Sequence, residues 1–320
     1  MKELFRHALV ALDQSPASDI MLDCLPGFSV FGTKEVTLFT AAAASHQDRP
    51  TEEEIRKWQG RLDSYAAKLL DLAGYQIRTQ VDYHGKSSVP QRILEAARKS
   101  DAGYIVIASR GHSKLHNVLL GSTVTSLLQQ TDLPVYLIKL REEQESADSE
   151  NEPKLRCTAP CKDSLEHILY PTDFSDTARI AFDVLSRLAD GPTKRITLFH
   201  VQASGKVDLT NAAQLEEFNR IDRERLETLS GKLREQTRVD VDIALGQGPA
   251  AHLIVDKARL TGATMILMGS QGRGYISDLF LGGVTYHVLR NTPVPVLVIP
   301  ARRFASKINK PVKSGETTNQ

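Results

Sequence analysis

One unit is written twice in this chain, and that repeat limits the fold more than any other feature. Residues 7–12 form an apolar run that ends at Asp13 and is followed by Ser15, Pro16, Ala17 and Ser18, a helix start. Residues 167–172 lead in the same way to Asp173, Phe174, Ser175 and Asp176, 160 positions later. Strand candidates rich in β-branched and aromatic residues follow at 35–40 and 195–200. Long amphipathic helices come next at 52–73 and 212–236, then strands at 77–83 and 239–245. Helices at 91–99 and 251–260 lead to strands at 104–108 and 265–268, and closing strands stand at 135–138 and 296–299. Pro134 and Pro295, just before the closing strands, are 161 apart. A period this long marks a duplicated domain, because solenoid repeats run about 20–50 residues.

Each copy alternates short, continuously apolar strands with helices, the pattern of a parallel sheet covered on both faces. The expected class is therefore α/β, with two tandem doubly wound five-stranded sheets. In each copy the Asp follows the first strand and a glycine-bearing loop follows the fourth. If those strands are neighbours where the winding reverses, both loops line one crevice at the carboxyl edge of the sheet. Residues 1–140 and 164–300 are the expected domains. The stretch 141–163 is acidic and polar and is expected to be a solvated connector. Residues 301–320 are expected to form a basic, flexible tail.

Composition excludes several classes. Forty basic residues against thirty-nine acidic ones leave a formal charge of +1, with no electrostatic footprint for nucleic acid. No apolar stretch approaches the ~20 residues needed to span a membrane. Asp13 cuts short the N-terminal apolar run, and no small-residue cleavage site follows, so no signal peptide is expected. Three cysteines argue for a reducing compartment, with the cytoplasm as the expected location.

Candidate site residues concentrate in 265–300. Gly269, Gly272, Gly282 and Gly283 allow close approach of backbone to a ligand, because no Cβ intervenes. Gly283, Val284 and Thr285 stand where a helix begins, and the unpaired N–H groups of a helix start attract anions such as phosphate. Arg273 is a candidate to pair with phosphate oxygens. Asp173, with Pro171 before it, is a carboxylate able to accept hydrogen bonds from ribose hydroxyls.

The string Gly269-Ser-Gln-Gly272, nine residues, Gly282-Gly283 resembles the ATP-binding signature of the universal stress protein family. That signature reads Gly, two residues, Gly, nine residues, Gly, then Ser or Thr, so Gly283 departs from it by lacking a hydroxyl. The resemblance covers nearly all of both halves and implies a Rossmann-like fold with strand order 3-2-1-4-5. It implies adenine-nucleotide binding, with ATP expected and ADP or AMP as alternatives. It also implies that Asp173 contacts the nucleoside and that the backbone of Val201 meets the adenine edge. The two copies are expected to pack as an intramolecular pseudo-dimer through their last strands, with homodimerisation and a signalling partner protein left open. The first copy reads Ala108-Ser-Arg-Gly111, nine residues, Gly121-Ser122, with Asp13 retained and Ala41 in place of the valine. Asp13, Gly111, Gly121 and Ser122 thus make a weaker second site, with Ala108 expected to obstruct the ribose.

Two other functions stay open: an interaction protein whose two degenerate sites bind no nucleotide, and a slow ATP hydrolase. The sequence offers no catalytic constellation, neither a Gly-x-Ser-x-Gly elbow nor a Walker loop. Cys157 and Cys161 are not spaced as a zinc pair and lie in the connector. No metal is expected, and the pair is expected to be dispensable.

Overall fold

The computed structural model describes residues 4–42, 50–83, 87–109, 120–143, 154–158, 161–202, 212–273 and 281–301. The first copy runs β1 (His7–Ala11), α1 (Pro16–Cys24), a 3-10 stretch (Leu25–Phe31), β2 (Glu35–Ala41), α2 (Glu52–Ala73) and β3 (Gln76–Asp82). It continues with α3 (Val89–Lys99), β4 (Tyr104–Ala108), α4 (Ser122–Gln130) and β5 (Val135–Ile138). A hairpin of β6 (Leu140–Glu143) and β7 (Lys154–Cys157) follows. The second copy comprises β8 (His167–Thr172), α5 (Asp176–Ala189), β9 (Arg195–Gln202), α6 (Ala212–Gln236) and β10 (Asp240–Gln247). It ends with α7 (Ala250–Thr261), β11 (Met265–Gly269), α8 (Gly283–Asn291) and β12 (Val296–Ile299).

Ten strands form one sheet in the order β10-β9-β8-β11-β12-β5-β4-β1-β2-β3. Each copy contributes five parallel strands in the order 3-2-1-4-5, and the copies join where β12 pairs with β5 antiparallel. The last strands are therefore the seam, as expected. Alternation along them carries the two cores across it. Leu297 faces Tyr136 in the layer under α1, α2, α5 and α6, while Val296 opposite Leu137 and Val298 opposite Val135 lie in the layer under α3, α4, α7 and α8. Both seam strands are apolar at every position because both of their faces are covered.

The copies are not identical. The helix after the first strand spans 9 residues in α1 but 14 in α5. Pro26 and Gly27 stand where α5 continues through Ser186 and Arg187, and both residues disfavour a helix interior. The 3-10 stretch that replaces the lost turns carries Phe28, whose ring meets Tyr136 of β5 edge-on at 4.9 Å.

The connector differs from a wholly solvated one. Its ends pair as the β6–β7 hairpin, Leu140 opposite Cys157, and Leu155 and Cys157 pack against the first copy's core. Only its middle keeps the acidic, apolar-poor character, and residues 144–153 lie outside those described, as do residues 302–320 of the expected tail.

Candidate functional site

The site grows from the end of β8. Phe174, directly after Asp173, has φ 60, and Gln14, after Asp13, has φ 58. A left-handed conformation is uncommon for a bulky residue and tends to occur at functional turns. Here it lets the chain double back so that Ser175 caps α5, its Oγ accepting from Ala178 N at 3.2 Å. Asp173 Oδ1 accepts from Ser175 N at 3.0 Å. Capping therefore falls to the serine, and the carboxylate keeps its other oxygen for the glycine loop, where Oδ2 accepts from Arg273 N at 2.7 Å.

The loop after β11 is pinned at both ends, Ser270 N donating to Ile299 O at 2.8 Å and Gly282 N to Ser270 O at 2.9 Å. The glycines matter for different reasons. A Cβ at Gly272 would stand 2.5 Å from Asp173 Oδ2, and one at Gly282 would stand 3.3 Å from both Gln271 Cα and Ser270 O. A Cβ at Gly269 would meet Thr177 Cγ2 at 2.7 Å, so this glycine serves packing against α5. At Gly283 a Cβ would meet nothing within 4 Å.

These segments enclose a crevice of about 640 Å³. Pro171, Asp173, Val201, Gly269, Gly272, Arg273, Gly282, Gly283, Val284 and Thr285 all line it. Sequence reading missed its apolar wall, which adds Phe199, Ile254, Met268 and Leu281, with Ala250 one turn before Ile254 on α7. An apolar wall at one end suits a flat ring, and the carboxylate of Asp173 suits hydroxyls. At the other end α8 starts at Gly283, and its N-cap Gly282 makes no side-chain capping bond, an arrangement that suits an anion. Thr285 is turned to structural use, its Oγ1 donating to Gly269 O at 3.0 Å. Arg273 is turned toward Asp173: its Nε donates to the Asp173 carbonyl and its guanidinium lies 5.9 Å from the Phe174 ring centre.

A larger hollow of about 870 Å³ lies on the other face of the same sheet, between α5 and α6. Arg179, Arg187 and Lys232 offset Asp183 and Asp190 around it, and among the described residues the helix start that lines it is that of α5, already capped by Ser175. The smaller crevice is the chemically equipped one. Among the described residues, no three His, Cys, Asp or Glu side chains gather as a metal site, and no helix is long and apolar enough to cross a membrane.

The profile of the universal stress protein family matches the chain twice, over residues 4–139 and 164–300. The chain belongs to the universal stress protein family. A universal stress protein of Mycolicibacterium smegmatis is 25% identical over 231 residues, 72% of this chain and 70% of that one. One from Methanocaldococcus jannaschii is 29% identical over 151 residues, 41% of this chain and 93% of the relative. The crystal structure of a universal stress protein from Archaeoglobus fulgidus superposes with a TM-score of 0.66 at 23% identity, over 92% of this chain and 98% of that one. That last likeness concerns the fold.

Within this universal stress protein the first copy repeats the frame of the crevice and alters its contents. Ser109 N donates to Ile138 O at 2.8 Å and Gly121 N to Ser109 O at 3.1 Å, as in the second copy. Gly121 is the N-cap of α4, and Ser122 opens that helix, exposed. Gly111 lies outside the described residues. Asp13 Oδ1 accepts from Ser15 N, Ser15 Oγ and Ser18 Oγ at 3.0, 2.6 and 3.0 Å, so this carboxylate is drawn into its own helix start. The expected obstruction by Ala108 needs a different account. A Cβ at the matching Gly269 points at Thr177, and the residue matching Thr177 is the small, buried Ala17, which shares a core layer with Ala108. The sharper difference lies past Ala41. Arg92, 5% exposed, donates to Ala42 O at 3.0 and 3.1 Å and to Asp82 Oδ2 at 2.9 Å, where the second copy has Leu253. Val89 replaces the smaller Ala250.

Proposed function

We propose that this universal stress protein binds an adenine nucleotide in the crevice of its second copy and serves as an ATP-responsive regulatory protein. The observation that carries the reading is the meeting of three chemistries in one 640 Å³ crevice: an apolar wall, a carboxylate beside backbone that only glycine permits, and an uncapped helix start. The base would lie against Val201, Phe199, Ile254 and Met268, and Asp173 would accept from ribose hydroxyls. The N–H groups opening α8 would take the phosphates. Arg273 would have to leave Phe174 and the Asp173 carbonyl to join them. The first copy differs at the ends of β2 and β3, where the buried Arg92 guanidinium pairs with the partly exposed Asp82 carboxylate.

Calorimetry with ATP, ADP and AMP on the full chain tests the reading. One nucleotide per chain, lost in Gly272→Val, is the expected result. No binding of any of the three, by a chain with an unaltered melting curve, would leave the interaction-protein reading in its place. Phosphate release under excess ATP would add hydrolysis.

A further inference from the structure

The connector was expected to hold a dispensable cysteine pair, but it carries one sulfur into the first copy. Cys24 ends α1 and is 6% exposed; Cys157 ends β7, which lies against α1. Their Sγ atoms stand 2.9 Å apart. Cys24 is disulfide-bonded, whereas Cys157 keeps a free thiol. A free thiol thus touches a disulfide sulfur at a separation no longer than the ~3–3.5 Å of reacting atoms in near-attack arrangements.

The contact is built rather than incidental. Pairing of Leu140 with Cys157 fixes the register of the hairpin, and Thr158 N donates to Lys139 O at 2.9 Å just beyond it. Burial, with a lesser contribution from the Asp23 carboxylate, pushes the Cys157 thiol up to about 11. The thiol is therefore sluggish toward reagents in solution, and its contact partner is its favoured target.

We propose that Cys24 and Cys157 form a thiol–disulfide exchange site that moves a disulfide onto the connector. The Cys157 thiolate donates its electron pair to Cys24 Sγ, and a Cys24–Cys157 bond forms. The bond between Cys24 and its present partner breaks, and that partner leaves as a thiolate, which takes up the proton Cys157 released to water. The number of disulfides does not change, so no external oxidant is consumed. The product staples β7 to α1 and lies outside the crevice of the second copy, so this inference stands apart from nucleotide binding.

The test is disulfide mapping of the full chain. The protein is equilibrated in a mixed reduced and oxidised glutathione buffer, quenched with acid, alkylated, digested and examined by mass spectrometry. Wild type is expected to yield one disulfide that always includes Cys24, with the Cys24–Cys157 peptide pair as one of the species. In Cys161→Ser that pair is expected to become the dominant species, within a single chain, and in Cys24→Ser it is lost. Cys161→Ala repeats the measurement should the serine variant fold poorly. Three free thiols in wild type, or absence of the Cys24–Cys157 pair from both Cys161 variants, would overturn the proposal.

Discussion

At the scale of single residues, glycines of one signature prove to have separate tasks. Gly272 faces the carboxylate of Asp173 and Gly283 faces open space. Gly272→Val is expected to weaken nucleotide binding by tenfold or more, about 1.4 kcal/mol, and Gly283→Ser to fold normally. The added hydroxyl should strengthen ATP binding about tenfold and AMP binding less, because only the longer phosphate chain reaches it. Calorimetry on both variants with both nucleotides checks this, and equal gains for ATP and AMP would place the phosphates elsewhere. His7 and His167 are a second matched pair, bonded to Thr37 and Thr197 Oγ1 at 2.8 and 2.9 Å. Burial is the chief cause that lowers the pKa of each below its usual 6.5. The unfolded chain therefore binds protons near pH 6.5 that the folded chain refuses, and stability falls as pH drops below that value. Thermal melts between pH 7.5 and 5 should show a declining midpoint, with a shallower decline in a His7→Gln, His167→Gln double variant. None of the left-handed geometry at Gln14 and Phe174 was legible in sequence, since neither residue type announces it. The glycines and Asp173 were legible because their chemistry is local.

At the scale of elements, α8 joins two roles. Its N-terminus opens the crevice, and its C-terminus receives a cation from the other copy: Lys139, 5% exposed, donates to Leu289 O at 2.7 Å and Arg290 O at 3.3 Å. A buried cation at a helix C-terminus satisfies carbonyls and complements the dipole. Lys139→Met is expected to cost about 1.5–3 kcal/mol in urea unfolding, because it keeps the stem and leaves the carbonyls unpaired. A loss below about 0.5 kcal/mol would mean that water replaces the ammonium. The strands of the ten-stranded sheet, which read as apolar or β-branched runs, and the helices α2, α3, α6 and α7 were legible to within a residue or two. The β6–β7 hairpin was not. Its four-residue strands are charged, and what holds them is distant packing of Leu155 and Cys157 against the first copy.

At the scale of the whole molecule, the seam decides the assembly. β5 and β12 are each four residues long and buried throughout, and their union turns two five-stranded sheets into one of ten. Proteolysis within residues 144–153 is accordingly expected to leave two fragments that co-elute in gel filtration and separate only in denaturant. Fragments that part in native buffer would mean the seam depends on the covalent link. The duplication was legible from the spacing of Asp13 and Asp173 and of Pro134 and Pro295. Strand order came only with the family resemblance, because pairing partners far apart in sequence leave no local mark.

Arg92 in one copy and Leu253 in the other bear on how such a protein can change over generations. In an assembly of two identical chains every substitution arrives twice, so a mutation that spoils a pocket spoils both. Joining the copies in one polypeptide removes that constraint. Arg92 could take up its place at the ends of β2 and β3 while the matching position kept a leucine, and neither change forced the other. Covalent fusion, on this view, gave the molecule independent inheritance for its two halves: one is free to drift toward a scaffold while its twin keeps its crevice under separate selection.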